Sequence, residues 1–209
     1  MTIPRIRWLV TGVVLLAAFV ALGLTVDRQP LGLDQAVADA LRGQDSQPAG
    51  LVAGVVTNVL GPVLPIVVGV ALVALALRDR AHLPLYLKLA AVLVLCRLTS
   101  AVFKPVFLRQ RPREYPDLSY PSGHVVSVGS AALVVVLLAA WLAPRLTGRA
   151  IAAGAAATVL AAACRIVLGV HWVTDTVGAA LAVLGVGLVS ASALRLLPVS
   201  GRDGRSLDA

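Results

Sequence analysis

Residues 121–144, PSGHVVSVGSAALVVVLLAAWLAP, decide the fold. The stretch opens with a polar tetrapeptide, continues as an almost wholly apolar run and ends at a proline. About 20 apolar residues are enough to cross a bilayer as an α-helix, and a proline cannot continue a helix. We therefore predict a membrane-spanning helix over residues 122–143 with a polar site at its beginning.

Five further apolar runs of similar length surround this one. The chain has 59% hydrophobic and 13% charged residues, whereas soluble domains carry about 25% charged residues. The fold class that follows is all-α, an integral membrane bundle of six transmembrane helices. We expect one domain over residues 1–198 and a short, polar, disordered tail over 199–209. The predicted spans are 8–26, 51–77, 83–103, 122–143, 150–170 and 174–197.

The formal net charge of +8 does not indicate nucleic acid, because the basic residues punctuate apolar segments instead of forming one soluble patch. Most arginines near the span ends fall on one side, which predicts cytoplasmic termini and places loops 104–121 and 171–174 outside a bacterial cytoplasmic membrane. The first apolar run is too long for a signal peptide, so we expect it to stay uncleaved. The stretch 31–42 fits either an amphipathic surface helix or a plain connector.

Polar residues cluster in three short segments, and the first two suit phosphate. Lys104 and Arg111 lie in KPVFLRQRP, where the two prolines predict a loop; guanidinium and ammonium groups bind phosphate oxygens. Ser122, Gly123 and His124 begin the fourth predicted helix, whose first N–H groups attract an anion and whose histidine can give a proton to a leaving oxygen. A basic headgroup-facing loop and an ordinary capped helix explain the same residues.

The third segment runs from Cys164 to Asp175. Arg165 adds another guanidinium group, and His171 precedes Asp175 by four residues, so both lie on one face of a helical turn. A carboxylate that fixes the histidine tautomer leaves the other ring nitrogen free to attack phosphorus. A structural His–Asp pair at the start of the last helix, with Asp175 as its N-cap, explains the residues equally well.

Two further interpretations concern the charge balance. His124, His171 and Asp175 match a metal site of two histidines and a carboxylate, but the neighbouring cations favour an anion, so we expect neither metal nor cofactor. Arg97 lies inside the third apolar run, seven residues before Lys104. It either supports the floor of the site or forms a structural ion pair.

Together the three segments resemble the type 2 phosphatidic acid phosphatase family, which shares its core with vanadium haloperoxidases and glucose-6-phosphatase. The family pattern is Lys-x6-Arg-Pro, then Pro-Ser-Gly-His, then Ser-Arg-x5-His-x3-Asp. One position departs, because Cys164 stands where the pattern has serine. The residues that match are Lys104, Arg111, Pro112, Pro121, Ser122, Gly123, His124, Arg165, His171 and Asp175.

The resemblance implies a role for each matching position. His171 would carry the phosphoryl group with Asp175 orienting it, and His124 would protonate the leaving oxygen and then activate water. Phosphate oxygens would be held by Lys104, Arg111, Ser122, Gly123 and Arg165. Arg97 and Cys164 are possible supporting residues, with any contact from the thiol weakened relative to a hydroxyl. No metal is implied.

The predicted function is a membrane lipid phosphatase that removes a terminal phosphate through a phosphohistidine intermediate. Its partners would be membrane lipids and a lipid phosphate such as phosphatidic acid, phosphatidylglycerol phosphate or a polyprenyl diphosphate. One alternative is a polyprenyl-phosphate recycling enzyme of cell-wall synthesis. Others are a non-catalytic phosphate binder or transporter and a purely structural membrane protein. The sequence leaves the oligomeric state open.

Overall fold

The computed structural model describes residues 3–26 and 29–198. Every regular secondary-structure element within those ranges is a helix, as predicted. The predicted tail over 199–209 lies outside the described residues. The α-helices are α1 Ile3–Val26, α2 Gly32–Ala40, α3 Pro48–Arg78, α4 Leu83–Phe107, α5 Gly123–Leu142, α6 Thr147–Val167 and α7 Val173–Ala193.

Six of these helices, all except α2, are long and apolar enough to cross a membrane. The prediction of a six-span, all-α bundle is therefore confirmed, and the protein is a multi-pass membrane protein. The stretch 31–42 contains the short helix α2, which favours the helical interpretation over a plain connector.

The predicted loop that starts at Lys104 is wrong, because α4 continues through Lys104 and Pro105 to Phe107. A proline in the last turn removes one hydrogen bond and leaves the remainder of the helix intact. The helix ends when Leu108 adopts a left-handed conformation with φ of 51°, and its N–H donates to the Lys104 carbonyl at 3.0 Å. Lys104 therefore projects from a helix instead of a loop.

Helices α5 and α7 form the centre of the bundle. α5 contacts α3, α4, α6 and α7, whereas α7 contacts mainly α1, α4 and α5 and, less extensively, α2 and α6. Small residues let the helices approach closely, as is common in membranes. A methyl group at Gly185 of α7 would lie 3.0 Å from the backbone nitrogen of Leu16 in α1. Large apolar side chains such as Leu24 and Val159 remain exposed on the outer faces, where a bilayer would cover them.

Alternating helix direction brings the three polar segments to one end of the bundle. At the opposite end, Arg5 Nε of α1 donates to the Ser192 carbonyl in the last turn of α7 at 2.7 Å. A cation beside the carbonyl end of a helix is electrostatically favourable. The polar end contains α2, the loop 108–122 and the link 168–172, so helices far apart in sequence can contribute to one site.

Candidate active site

A cavity of about 820 Å³ opens at the polar end of the bundle. Its walls come from α3, α4, α5, α6, the loop 108–122 and the link before α7. The structure therefore brings together residues from all three polar segments of the sequence. The predicted residues that line it are Arg97, Lys104, Arg111, Gly123, His124, Arg165 and His171.

His171 has a defined partner at each ring nitrogen. Its Nδ1 lies 3.2 Å from Asp175 Oδ2, and its Nε2 lies 3.0 Å from Arg111 Nη1. Arginine can only donate, so Nε2 accepts and the ring proton lies on Nδ1, from which it is donated to Asp175. This tautomer leaves the Nε2 lone pair directed at the cationic groups of the cavity.

The pKa of His171 is depressed from 6.5 to about 4. Burial is the largest cause, because it disfavours the imidazolium form. The hydrogen bond to Asp175 acts in the opposite direction but does not compensate for the burial. His171 is therefore neutral at physiological pH, which is the protonation state that a nucleophile requires.

Asp175 lies at the third position of α7, so the predicted N-cap position is wrong. The helix begins after Trp172, whose backbone N–H donates to Asp175 Oδ2 at 2.8 Å. The Ser119 hydroxyl donates to the same oxygen, while Arg109 Nη1 donates to Oδ1 at 2.6 Å. Four donors thus hold a carboxylate that is fully buried, and this fixes the orientation of the His171 ring.

A buried ion-pair network extends from Asp175 to α2. Arg109 Nη2 donates to Asp34 Oδ2 at 2.8 Å, and the backbone N–H and hydroxyl of Thr174 donate to the same carboxylate. Asp34 is completely buried. Sequence analysis missed Asp34 and Ser119 as site residues. No local pattern could pair Asp34 with Arg109, because 75 residues separate them.

Asp117 is a third residue that sequence analysis missed. It bonds Lys104 Nζ through Oδ2, and the same oxygen lies 3.4 Å from Arg111 Nη2. Partial burial is the largest single influence on the pKa of Asp117 and raises it, but the hydrogen bond from Lys104 and the charges of Lys104 and Arg111 together keep the net pKa below its ordinary value. A carboxylate therefore pairs with two of the cationic groups of the cavity.

Arg165 and Ser122 contribute buried donors without partners. Arg165 Nε and Ser122 Oγ have no hydrogen-bond partner among residues 3–26 and 29–198, although both side chains are buried. The Arg165 guanidinium carbon lies 5.8 Å from the centre of the Tyr115 ring. A buried donor without a partner is unfavourable, so a hydrogen-bond acceptor at either group would be stabilising. Ser122 does not cap α5 with its side chain.

His124 is the second residue of α5, which agrees with its predicted place at the beginning of this helix. Its ring packs directly against Gly61 of α3, where a methyl group would overlap the imidazole. Only glycine leaves room for the ring at this position. The α3 helix therefore contributes to the position of His124 even though none of the sequence motifs includes it.

Cys164 does not reach the cavity, which corrects its expected place as a supporting residue. The thiol lines an apolar groove between α3 and α6 with residues such as Val52 and Leu160. Consecutive helical residues point about 100° apart, so the turn that directs Arg165 into the cavity directs Cys164 away from it. Both cysteines are free thiols.

The described residues contain no group of three or more His, Cys, Asp and Glu side chains that could hold a metal ion. Asp175, the carboxylate of the alternative metal site, bonds four protein donors. The donor set around the cavity is dominated by cations, which suits an anion.

Comparison with known proteins agrees with this arrangement. The model of the PAP2 superfamily matches residues 85–196, which span α4 to the end of α7 and include all three motifs. The chain belongs to the PAP2 superfamily. Membership supports a membrane lipid phosphatase, and it confirms the family resemblance drawn from the motifs.

One solved structure shares the PAP2 fold of this chain. It is a transmembrane PAP2-type phosphatidylglycerolphosphate phosphatase from Bacillus subtilis, with a TM-score of 0.68 and 21% sequence identity. The alignment covers 86% of this chain and 94% of that chain, so the likeness in fold extends over nearly the whole bundle. No curated protein sequence matches the chain at a significant level.

Proposed function

We propose that this PAP2 protein removes the terminal phosphate of a lipid phosphomonoester or diphosphate through a phosphohistidine on His171. The observation that carries the proposal is the state of the His171 ring. Its Nδ1 proton is held by Asp175, and its Nε2 lies among the cationic groups of the cavity. A phosphate binder needs the cations but has no use for an oriented, neutral histidine.

In the first step, His171 Nε2 attacks phosphorus while the bond to the leaving oxygen breaks. Protonated His124 gives its proton to that oxygen, so the leaving group departs as an alcohol or as a lipid phosphate. Asp175 stabilises the positive charge that develops on the His171 ring. The products of this step are phosphohistidine and the dephosphorylated lipid.

In the second step, water replaces the histidine on phosphorus. Neutral His124 removes a proton from the water as its oxygen forms the new bond, and the N–P bond breaks. Inorganic phosphate leaves, and both histidines return to their starting protonation states. One histidine thus acts as acid and then as base, which balances the protons over the cycle.

Cationic and neutral donors would stabilise the charge on the three phosphate oxygens. Lys104, Arg111 and Arg165 line the cavity, and the unpartnered Ser122 hydroxyl and the Gly123 N–H at the start of α5 complete the set. Lys104 and Arg111 must exchange Asp117 for phosphate when the substrate binds. Because these groups supply the positive charge, we propose that the reaction needs no metal and no cofactor.

The cavity wall explains why a lipid is the substrate class. Gly61, Pro62 and Ala101, from the membrane-spanning helices α3 and α4, line it beside the cations, so an acyl or prenyl tail can stay in lipid while the headgroup reaches His171. The structural neighbour is a phosphatidylglycerolphosphate phosphatase. Candidate substrates are phosphatidic acid, phosphatidylglycerol phosphate and polyprenyl diphosphate, the last of which would serve carrier recycling.

We also propose one functional unit over residues 1–198, placed in a bacterial cytoplasmic membrane with both termini in the cytoplasm. The support is the set of arginines at the end of the bundle opposite the cavity, such as Arg5, Arg78, Arg80 and Arg145. By the positive-inside tendency, the cavity then opens on the extracytoplasmic side.

The test is phosphate release in detergent from phosphatidic acid, phosphatidylglycerol phosphate and farnesyl diphosphate, each with and without EDTA. Wild type is compared with His171→Ala, and His82→Ala is the matched control. His82 also pairs with an aspartate, because its Nδ1 lies 2.7 Å from Asp79 Oδ2, but it lies at the other end of the bundle. Release should survive EDTA, vanish in His171→Ala and persist in His82→Ala.

Each alternative has its own outcome. Lipid binding without release would favour a binder or transporter, and release that EDTA abolishes would favour a metal site. Rapid quenching should also trap an acid-labile, base-stable phosphoryl group on wild type. Turnover in His171→Ala would exclude the phosphohistidine route.

A further inference from the structure

Arg97 is a cation of the cavity that the reaction described above does not use. It lies on α4 seven residues before Lys104, on the same helical face, and both line the cavity. Seven residues rise by about 10.5 Å, so Arg97 lies roughly that much deeper in the bilayer than Lys104. The cavity therefore has cationic groups at two depths.

Two contacts hold the Arg97 guanidinium beside the first turn of α5. Nη1 donates to the Ser127 hydroxyl and lies 3.5 Å from the Gly123 carbonyl. Ser127 in turn donates to that carbonyl at 2.9 Å. These two residues flank His124 on the same helical turn, so the guanidinium lies next to the group that would protonate the leaving oxygen.

Arg97 also lacks a protein counterion. Throughout residues 3–26 and 29–198, no carboxylate lies within 4.0 Å of its guanidinium, whereas Lys104, Arg109 and Arg111 each have at least one. A charge within the hydrocarbon region is unfavourable when nothing neutralises it. A substrate anion would compensate for part of that cost.

The direction of the reaction places the leaving group near Arg97. Attack from His171 puts the leaving oxygen on the opposite side of phosphorus, which in the proposed reaction is the side that His124 protonates. The lipid beyond that oxygen must continue toward the bilayer, and Arg97 lies on that deeper side of His124. A leaving group that carries its own phosphate would meet the guanidinium, but neutral diacylglycerol would not.

Building on the proposed function, we propose that Arg97 is a second anion site that binds a phosphate of the leaving group. The site favours lipids with two phosphate groups over phosphatidic acid. The phosphate that stays with the leaving group is the phosphodiester in phosphatidylglycerol phosphate. In a prenyl diphosphate it is the inner phosphate of the phosphoanhydride. Arg97 is then a specificity residue, because it touches substrate without taking part in bond making.

The test compares kcat/KM for phosphatidic acid, phosphatidylglycerol phosphate and farnesyl diphosphate in wild type, Arg97→Gln and Arg97→Lys. Hydrogen bonds to charged groups correspond to roughly 10- to 100-fold in binding, so Arg97→Gln should lose about that factor on the two-phosphate lipids. Its kcat/KM on phosphatidic acid should stay within about threefold, and lysine should restore most of the loss. Arg149→Gln, an exposed arginine at the opposite end, should change nothing.

The two possible sources of the second phosphate give different results. If Arg97→Gln lowers kcat/KM on farnesyl diphosphate alone, the second anion lies one bridging oxygen away from the transferred phosphorus. If it lowers kcat/KM on phosphatidylglycerol phosphate alone, the second anion lies beyond a glycerol. Either result supports the site. An equal loss on all three lipids, or no loss on either two-phosphate lipid, overturns it.

A binding measurement separates this proposal from the catalytic one. In His171→Ala, binding can be measured without turnover. The two ligands are phosphatidic acid and a non-hydrolysable phosphonate analogue of farnesyl diphosphate. Adding Arg97→Gln should weaken the binding of the two-phosphate ligand only. Ser127→Ala should weaken that binding by less, because the charge of Arg97 remains. If wild type releases no phosphate but Arg97→Gln still weakens this ligand selectively, the proposed reaction fails while the anion site stands.

Discussion

The buried carboxylate of Asp34 offers the sharpest test of how the site is held together. Its Oδ1 accepts the Thr174 N–H at 3.0 Å, and its Oδ2 accepts Arg109 at 2.8 Å and the Thr174 hydroxyl at 2.6 Å. Asp34→Asn keeps the shape but replaces one acceptor oxygen by an amide NH₂. Whichever way the amide turns, its NH₂ faces a donor, and Arg109 loses one of its two carboxylates.

Removing one partner of a buried ion pair costs about 3–5 kcal/mol. For a chain of this length, 1 kcal/mol corresponds to a shift of roughly 2–4 °C in the unfolding temperature. We therefore expect Asp34→Asn to lower the unfolding temperature by roughly 10 °C. The measurement is thermal unfolding in detergent, followed by intrinsic fluorescence and checked by size-exclusion chromatography.

Asp39→Asn is the matched control, because it removes the same charge from the same helix. Asp39 pairs with Arg42, and the two side chains are 50% and 76% exposed. An exposed pair contributes little to stability because solvent screens it, so the unfolding temperature should shift far less than in Asp34→Asn. If Asp34→Asn and Asp39→Asn shift the unfolding temperature equally, the buried network does not hold the site.

The double variant Asp34→Asn/Arg109→Gln tests the coupling directly. Removing both partners leaves neither Asp34 nor Arg109 without the other, and the loss of Arg109 from Asp175 is common to the double variant and the Arg109→Gln single variant. The double variant should therefore be more stable than the sum of the two single changes predicts. The expected difference is at least about 1 kcal/mol. Simple additivity would show that Asp34 and Arg109 do not act as a pair.

Three further predictions address the cavity. Gly61→Ala places a methyl group where the His124 ring lies, so kcat should fall about 100-fold with little change in unfolding temperature; unchanged turnover would contradict this. Asp117→Asn removes a carboxylate that occupies Lys104, so KM should fall by up to about fivefold, and a raised KM would instead make Asp117 a substrate contact. The pKa of His171 falls from its ordinary 6.5 to about 4 in the folded protein, so the unfolded chain binds more protons between these pH values. The free energy of unfolding should therefore fall as the pH drops from 6.5 towards 4. A His171→Gln variant should lack that part of the pH dependence.

Much of the fold could be predicted because hydropathy and proline position are local properties. The six spans follow from apolar runs of bilayer length, and the end of α5 at Leu142 follows from Pro144. The predicted end of α4 was wrong because the rule that proline ends a helix does not hold in the last turn. Helix α4 continues through Pro105 because the proline lies in its last turn, where it removes one backbone bond.

The candidate site was partly predictable for a similar reason. Motif spacing predicted that Lys104, Arg111, His124, Arg165 and His171 belong together, and they line one cavity. Spacing could not predict where neighbouring side chains point. The expectation for Cys164 failed because the packing of α6 against α3 directs its thiol into an apolar groove.

Composition and distances along the chain were enough to establish the class of protein, the number of spans and the chemistry of the motif residues. The groups that restrain that chemistry could be found only from the packing of the helices. Asp34 reaches Arg109 from 75 residues away, Ser119 bonds Asp175 and Gly61 makes room for His124. Such contacts depend on how helices pack side by side, and no local pattern encodes the lateral position of one helix against another.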